Sequence, residues 1–317
     1  MNRNSPQGTS LEISILVPLL NERENLAPLL AKIQEAMAPL NKRYEVIFVD
    51  DGSTDGSFQI LERLHDQNQE VKVIQFRMNY GKSAALAVGF EQAFGQVIIT
   101  MDADLQDDPA EIPNLLSKLE EGYDLVSGWK HKRRDPISKT IPSKLFNKVT
   151  SLLSGVKIHD FNCGLKAYRR EVTEHIQVYG EMHRYLPVLA HWKGFRVGEI
   201  RVRHHPRLHG KSKFGLSRFI NGFLDLLTVM FLTKYTRRPM HLFGVLGLAL
   251  FLAGLVINLH LTYLWLHKVG IGHRPLLFLG VLLVIVGLQF TLMGLIGEMI
   301  TRQDRDKSSY SIRKRLT

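Results

Sequence analysis

From Val97 to Pro109 the chain runs VIITMDADLQDDP, a β-branched run that breaks off into four aspartates within seven residues. Val97 to Met101 reads as a short buried strand. The segment Met101-Asp102-Ala103-Asp104-Leu105-Gln106-Asp107-Asp108-Pro109 follows it directly. Asp102 and Asp104 therefore leave the same side of the extended chain and can converge on one hard cation. An EF-hand is excluded: counted from Asp102, the sixth position is Asp107 instead of glycine and the twelfth is Pro113 instead of glutamate. The competing explanation of the same residues is an acidic helix N-terminus, with carboxylates near the dipole and Pro109 in the first turn.

Upstream, strands and helices alternate. Ile13 to Pro18 is a first apolar run, and Leu26, Leu29, Leu30, Ile33 and Met37 follow at i, i+3, i+4, i+7 spacing. Tyr44 to Val49 leads into Asp50-Asp51-Gly52-Ser53, after which Asp55 can cap a helix with Phe58, Leu61 and Leu64 on one stripe. Val71 to Phe76 and a helix from Lys82 to Phe94 complete the series. Such alternation predicts a doubly wound α/β fold: a mostly parallel sheet with helices on both faces and ligands beyond the carboxyl ends of its strands. The Asp50–Ser57 loop offers acceptors for a base or ribose, and a capped Asp/Gly turn explains it nearly as well. No Gly-Lys-Ser/Thr closes this loop and no GxGxxG follows the first strand, so ATP and dinucleotides recede.

The 317 residues are 45% hydrophobic and 22% charged, ordinary globular values that exclude disorder and collagen-like repeats. The average conceals a division, because Met240 to Ile300 is almost bare of charge. Met240 to Leu266 and Pro275 to Ile296 are each long enough to cross ~30 Å of hydrocarbon at ~1.5 Å per residue. Between Phe214 and Tyr235, Arg218, Asn221, Asp225 and Thr228 line one helical face and Phe219, Phe223, Leu227 and Met230 another, as in a helix lying in the membrane interface. The expected organisation is a domain over 1–213, a juxtamembrane helix and linker over 214–239, a two-helix hairpin over 240–300 and a basic tail over 301–317. Arg237, Arg238, Arg302, Arg305, Lys307, Arg313, Lys314 and Arg315 flank one side, against Lys268 and Arg274 in the connecting loop. The positive-inside rule places that side, and the large domain, in the cytoplasm of an inner membrane protein. The N-terminus MNRNSPQGTS has no apolar core and predicts no cleavable signal. A single cysteine, Cys163, excludes an intramolecular disulfide.

A net charge of +11 suggests an anionic partner. One basic stretch follows Trp129, with Arg133, Arg134, Lys139 and Lys144; a second spans Arg201 to Lys213, with Arg207, Lys211 and Lys213. They can hold an acceptor phosphate beside a membrane, or form a solvated face attracted to anionic lipid. Nucleic-acid binding, allowed by charge alone, lacks any recognised module. His204, His205 and His209 sit among these cations and read as part of the same surface rather than a metal site.

The motifs Val17-Pro18-Leu19-Leu20-Asn21-Glu22, Val49-Asp50-Asp51-Gly52-Ser53-Thr54-Asp55, Arg77-Met78-Asn79-Tyr80-Gly81-Lys82 and Asp102-Ala103-Asp104-Leu105-Gln106 resemble the family 2 glycosyltransferases of the GT-A fold. Asp160-Phe161-Asn162-Cys163-Gly164-Leu165-Lys166 and Gly210-Lys211-Ser212-Lys213-Phe214 narrow the resemblance to polyprenyl-phosphate glycosyltransferases, such as the dolichyl-phosphate mannose synthases and bactoprenol glucosyltransferases. The resemblance implies a nucleotide-sugar site formed by Pro18, Leu19, Asn21, Glu22, Asp50, Asp51, Lys82 and Asp102, and a Mg or Mn ion held by Asp102, Asp104 and Gln106. It implies transfer of one sugar, glucose from UDP-glucose first, with GDP-mannose or a UDP-aminosugar as alternatives, onto undecaprenyl or a similar polyprenyl phosphate. A Gln-x-x-Arg-Trp motif of processive synthases is absent, which favours one sugar per turnover. Asp104 and Asp160 are the catalytic candidates; Asp160 can orient the acceptor or a basic side chain, or simply cap its loop. The different class of function is a non-catalytic lipid-binding scaffold on a dead domain. Membrane lipids are expected partners, and the juxtamembrane and transmembrane helices offer surfaces for a homo-oligomer.

Overall fold

The computed structural model describes residues 11–131, 137–178, 180, 182–206, 239–270 and 275–304. The chain forms two compact units, Met1–Leu226 and Leu227–Thr317. The first is built on β1 (Ile13–Leu19), α1 (Leu26–Met37), β2 (Tyr44–Asp50), α2 (Ser57–Gln67), β3 (Val71–Gln75), α3 (Lys82–Gln92) and β4 (Val97–Thr100). It continues with α4 (Ile112–Glu120), β5 (Leu125–Lys130), α5 (Ile137–Ser154), β6 (Lys166–Arg169), α6 (Arg170–His175), α7 (Leu186–Trp192) and β7 (Val197–Val202).

All seven residues of β1 are buried, as a central strand covered on both faces requires. Its side chains alternate. Ile13, Ile15 and Val17 join one core with the α1 stripe Leu26, Leu29, Leu30, Ile33 and Met37. Leu16 enters the other with Ile47, Val49, Ala85, Leu86 and Phe90. The helical stripe read from the sequence is therefore the buried face of α1.

The sheet order is β3-β2-β1-β4-β6-β5-β7. Neighbours pair in parallel except at β6, which runs antiparallel to both β4 and β5. The chain moves outward from β1 to β3 and then returns to the opposite side of β1 as β4. That reversal opens a crevice beyond the carboxyl ends of β1 and β4, where doubly wound sheets take their ligands.

In the second unit, α8 (Pro239–Leu266) and α9 (Pro275–Asp304) pack as a hairpin. Their apolar spans have mean hydropathies of 2.4 and 2.6, and only 11% of each is buried. Val245, Val256, Leu259, Phe278, Leu282 and Ile296 face outward, the inverse of a soluble core helix. Glycines set the close approach: a Cβ on Gly247 would lie 2.6 Å from the Gly287 carbonyl oxygen, and one on Gly254 would lie 2.7 Å from that of Gly280. The expected juxtamembrane helix lies outside the described residues.

Candidate active site

Strands β1 and β2 end side by side, with Leu19 opposite Asp50. Asn21 leaves β1 with φ 57°, a left-handed conformation that asparagine tolerates. Its backbone N–H donates to Ser53 Oγ at 2.8 Å, and its Oδ1 accepts from the Thr54 N–H at 2.8 Å. The Glu22 N–H donates to Ser57 Oγ at 3.1 Å and the Arg23 N–H to Asp55 Oδ2 at 3.1 Å. The two loops are thus laced together. Asp50, buried, accepts from the Ser53 N–H at 2.9 Å, which is the capped turn that its sequence allowed. Asp51 accepts from the N–H groups of Tyr80 and Gly81 at 2.7 and 2.9 Å, tying in the loop before α3. Gly52, at φ 76°, permits this packing, since a Cβ there would meet the Met78 carbonyl carbon at 2.7 Å. Pro18, Leu19, Asn21, Glu22, Asp50 and Asp51 therefore share one wall.

The second wall is the end of β4. Asp102 pairs with Lys82, the first residue of α3. Asp104 is buried, its Oδ1 accepting from the Gln106 N–H at 3.2 Å, and Leu105 between them sits at φ 58°. A left-handed leucine is a strained link that aims its neighbours. Burial opposes the charge on Asp102, but Lys82, Lys130 and Lys166 together hold its carboxyl well below the usual carboxylate range. Among the described residues no group of three or more His, Cys, Asp or Glu side chains stands ready for a metal ion. Gln106 turns its amide toward the His205 carbonyl, at 3.4 Å.

Two lysines not singled out in the sequence complete this centre, Lys130 from the start of the basic stretch after Trp129 and Lys166 from the motif 160–166. Lys130, at the end of β5, lies 3.2 Å from Asp107 Oδ1. Burial opposes its charge, yet Asp107, Cys163, Asp102 and Asp160 drive the ammonium above the usual lysine range. Lys166, buried at the start of β6, donates to the Cys163 carbonyl, and burial pushes its ammonium below that range. Its signal in the sequence is a lysine opening an otherwise buried strand, Lys166-Ala167-Tyr168. A histidine, His183, is the third such residue. Its Nδ1 lies 3.0 Å from Ser83 Oγ, and burial, with Lys82 and Arg184 beside it, pushes its pKa down to about 2. It is a neutral imidazole at any physiological pH.

Asp160, also buried, accepts from the Asn162 N–H at 3.1 Å through Oδ1, so it caps its own loop. The loop places Gly164 against Asp102 and anchors it there by a 2.9 Å bond from Thr100 Oγ1 to the Gly164 carbonyl. Cys163 is buried and burial pushes its thiol up to about 12, which makes it an inert packing residue.

The segment 203–205 is stitched to the aspartate loop. His204 bridges Asp107, the His205 N–H donates to the Gln106 carbonyl at 2.9 Å, and the His205 ring meets Asp108 Oδ2 at 3.0 Å. The described part of the second basic stretch, Arg203 to His205, therefore lies beside the aspartates. Arg133, Arg134, Arg207, Lys211 and Lys213 themselves lie outside the described residues, and for Lys139 and Lys144 the helix α5 is described but not the side chains.

The lysines around Asp102 suit a phosphate-bearing ligand, and the carboxylates at the end of β4 suit a cation bound with it. The sequence model of glycosyl transferase family 2 matches residues 14–177, from β1 through α6. The dodecaprenyl-phosphate galacturonate synthase of Rhizobium johnstonii is 39% identical over 317 positions, covering 96% of this chain and 93% of that protein. The undecaprenyl-phosphate 4-deoxy-4-formamido-L-arabinose transferase of Pseudomonas paraeruginosa is 36% identical over 297, covering 93% and 86%. Among solved structures, glucosyl-3-phosphoglycerate synthase from Mycobacterium tuberculosis, in complex with Mn2+ and UDP-glucose, superposes with TM-score 0.51 at 18% identity, covering 70% of this chain and 78% of that one. At that identity the likeness is one of fold.

Proposed function

The chain belongs to glycosyl transferase family 2, among the polyprenyl-phosphate glycosyltransferases, and we propose that it moves one sugar from a nucleoside diphosphate to polyprenyl phosphate at the cytoplasmic face of the inner membrane. The observation behind this reading is the ionised Asp102 just past the end of β4, with Lys82, Lys130 and Lys166 around it. A scaffold on a dead domain would not need an ionised carboxylate so placed.

The donor set suits a divalent cation. Asp102 and Asp104 supply hard oxygens, Asp102 stays ionised, and Gln106 follows on the same loop; Mg and Mn prefer such ligands. When bound, the ion supplies Lewis-acid stabilisation of the leaving diphosphate. The residues of the chain do the rest. Pro18, Leu19, Asn21, Glu22, Asp50 and Asp51 hold the nucleoside, Lys82 neutralises diphosphate charge, and the two basic runs hold the acceptor phosphate. Asp160 keeps the 160–166 loop in place. The acceptor, a phosphate monoester with a second pKa near ~6, is ionised at neutral pH and attacks without a strong general base. Direct displacement inverts the anomeric centre, so an α-linked donor gives a β-linked product.

The donor sugar is best sought among modified sugars. The expectation of UDP-glucose finds no support in the two relatives, whose names carry galacturonate and formamido-arabinose. A uronic acid is the first choice because the 39% identical relative matches nearly the whole chain. The test is incubation of the full-length protein with polyprenyl phosphate and UDP-galacturonate, UDP-glucose, GDP-mannose and a UDP-aminosugar in turn. Mass spectrometry should show one added sugar residue, and the anomeric coupling constant a β linkage. No lipid product from any donor would defeat the proposal.

A further inference from the structure

Of the three lysines around Asp102, Lys82 is the one bonded to it and the most exposed, with a third of its side chain open to solvent. The other two are committed elsewhere: Lys130, 13% exposed, to Asp107, whose carboxylate is wholly buried, and the buried Lys166 to the Cys163 carbonyl. Gly164 packs against the same carboxylate, where a Cβ would fall 2.7 Å from Asp102 Oδ2. A divalent ion that uses Asp102 must therefore displace the lysine, or sit beside it against like charge. Lys82 can be displaced: it hangs by a flexible four-carbon stem from the first turn of the 11-residue helix α3, just after Gly81 at φ 93°. That helix end is also favourable ground for an anion.

We propose that Lys82 is a placeholder cation, occupying Asp102 while the site lacks donor and giving it up when metal and nucleoside diphosphate arrive together, its ammonium passing to the diphosphate. The proposal rests on the metal-dependent reading above. It makes metal and donor mutually dependent. Metal alone must strip Asp102 of its partner and leave the ammonium to water, whereas the diphosphate offers that ammonium a new anion. By linkage, the factor by which donor tightens metal equals the factor by which metal tightens donor.

The test measures binding, not turnover, on the full-length protein in detergent: Mn2+ alone, and UDP in saturating Mn2+, by titration calorimetry. Lys82→Met should bind Mn2+ alone about tenfold more tightly than the unaltered protein and UDP about tenfold more weakly, the scale of a single charge-assisted hydrogen bond. Lys82→Arg, which keeps the cation, should retain the weak binding of Mn2+ alone. Lys82→Gln, with a polar stem, repeats the measurement should the methionine variant fold poorly. If both neutral variants bind Mn2+ alone no better than the unaltered protein, while that protein binds Mn2+ with UDP, the placeholder role is overturned and the metal-dependent reading survives. If the unaltered protein takes no Mn2+ even with saturating UDP, the metal reading falls and takes this inference with it.

Discussion

Gly164 lies against the carboxylate of Asp102 so closely that a Cβ on the glycine would stand 2.6 Å from the Asp102 Cγ. The two residues are 62 positions apart in the chain, yet they meet because β6 inserts beside β4 and Thr100 fastens the Gly164 carbonyl. Gly164→Ala must move the carboxylate or the loop. A shift of ~1 Å at a reacting centre costs about 100-fold in rate. The expected outcome is that loss in kcat/KM with circular dichroism unchanged, and wild-type turnover in the alanine variant would show that the carboxylate need not sit where it does.

Asp104→Asn tests the other carboxylate. Its amide oxygen can still accept from the Gln106 N–H, as Oδ1 does now at 3.2 Å, so the loop should keep its shape. The charge is lost, and transfer should fall by at least about 100-fold, the scale of removing one electrostatic contact to developing charge. Excess EDTA should silence the unaltered protein, and added Mg or Mn should restore it. Full activity in EDTA argues against any role for a divalent ion.

His183 predicts a dependence of stability on pH. Its folded pKa is pushed down to about 2, by burial first and then by Lys82 and Arg184. The unfolded imidazole has its ordinary value near ~6.5, so below that pH the unfolded chain takes up a proton that the folded one refuses. Stability therefore falls as the pH drops from ~6.5 toward 2, by up to ~1.4 kcal/mol per unit from this group. His183→Gln should flatten the fall in thermal-unfolding temperature between pH 6.5 and 4.5 relative to the unaltered protein. Parallel curves would mean that the ring is not held neutral.

The hairpin predicts sidedness. Cys163 is buried and should not react with a membrane-impermeant maleimide, so a single engineered cysteine can be read against a silent background. A cysteine at Val269, in the turn between α8 and α9, should label from the side opposite one placed at Arg302. Labelling of both from the same side would exclude two crossings.

The local events were legible in the sequence. Leu26 to Met37 shows its buried stripe by spacing, the all-apolar β1 announces a strand covered on both faces, and Asp50 and Asp102 mark strand ends by the abrupt change from β-branched to acidic residues. These are properties of neighbours along the chain, and periodicity records them. The two apolar spans were equally plain, because hydrocarbon thickness translates directly into a count of residues.

What only the tertiary structure decided is the company that Asp102 keeps. Lys82 reaches it from α3, Lys130 stands at the end of β5, and Lys166 and Gly164 arrive through the antiparallel β6, whose direction no spacing announces. The same holds for His204 and His205, read from the sequence as part of a basic surface: the His204 backbone bridges Asp107, and the exposed His205 ring meets Asp108. A pattern of residues fixes which way a side chain faces within its own element. Which charges finally share one low-dielectric pocket depends on strand order, and strand order is set by the packing of the whole sheet.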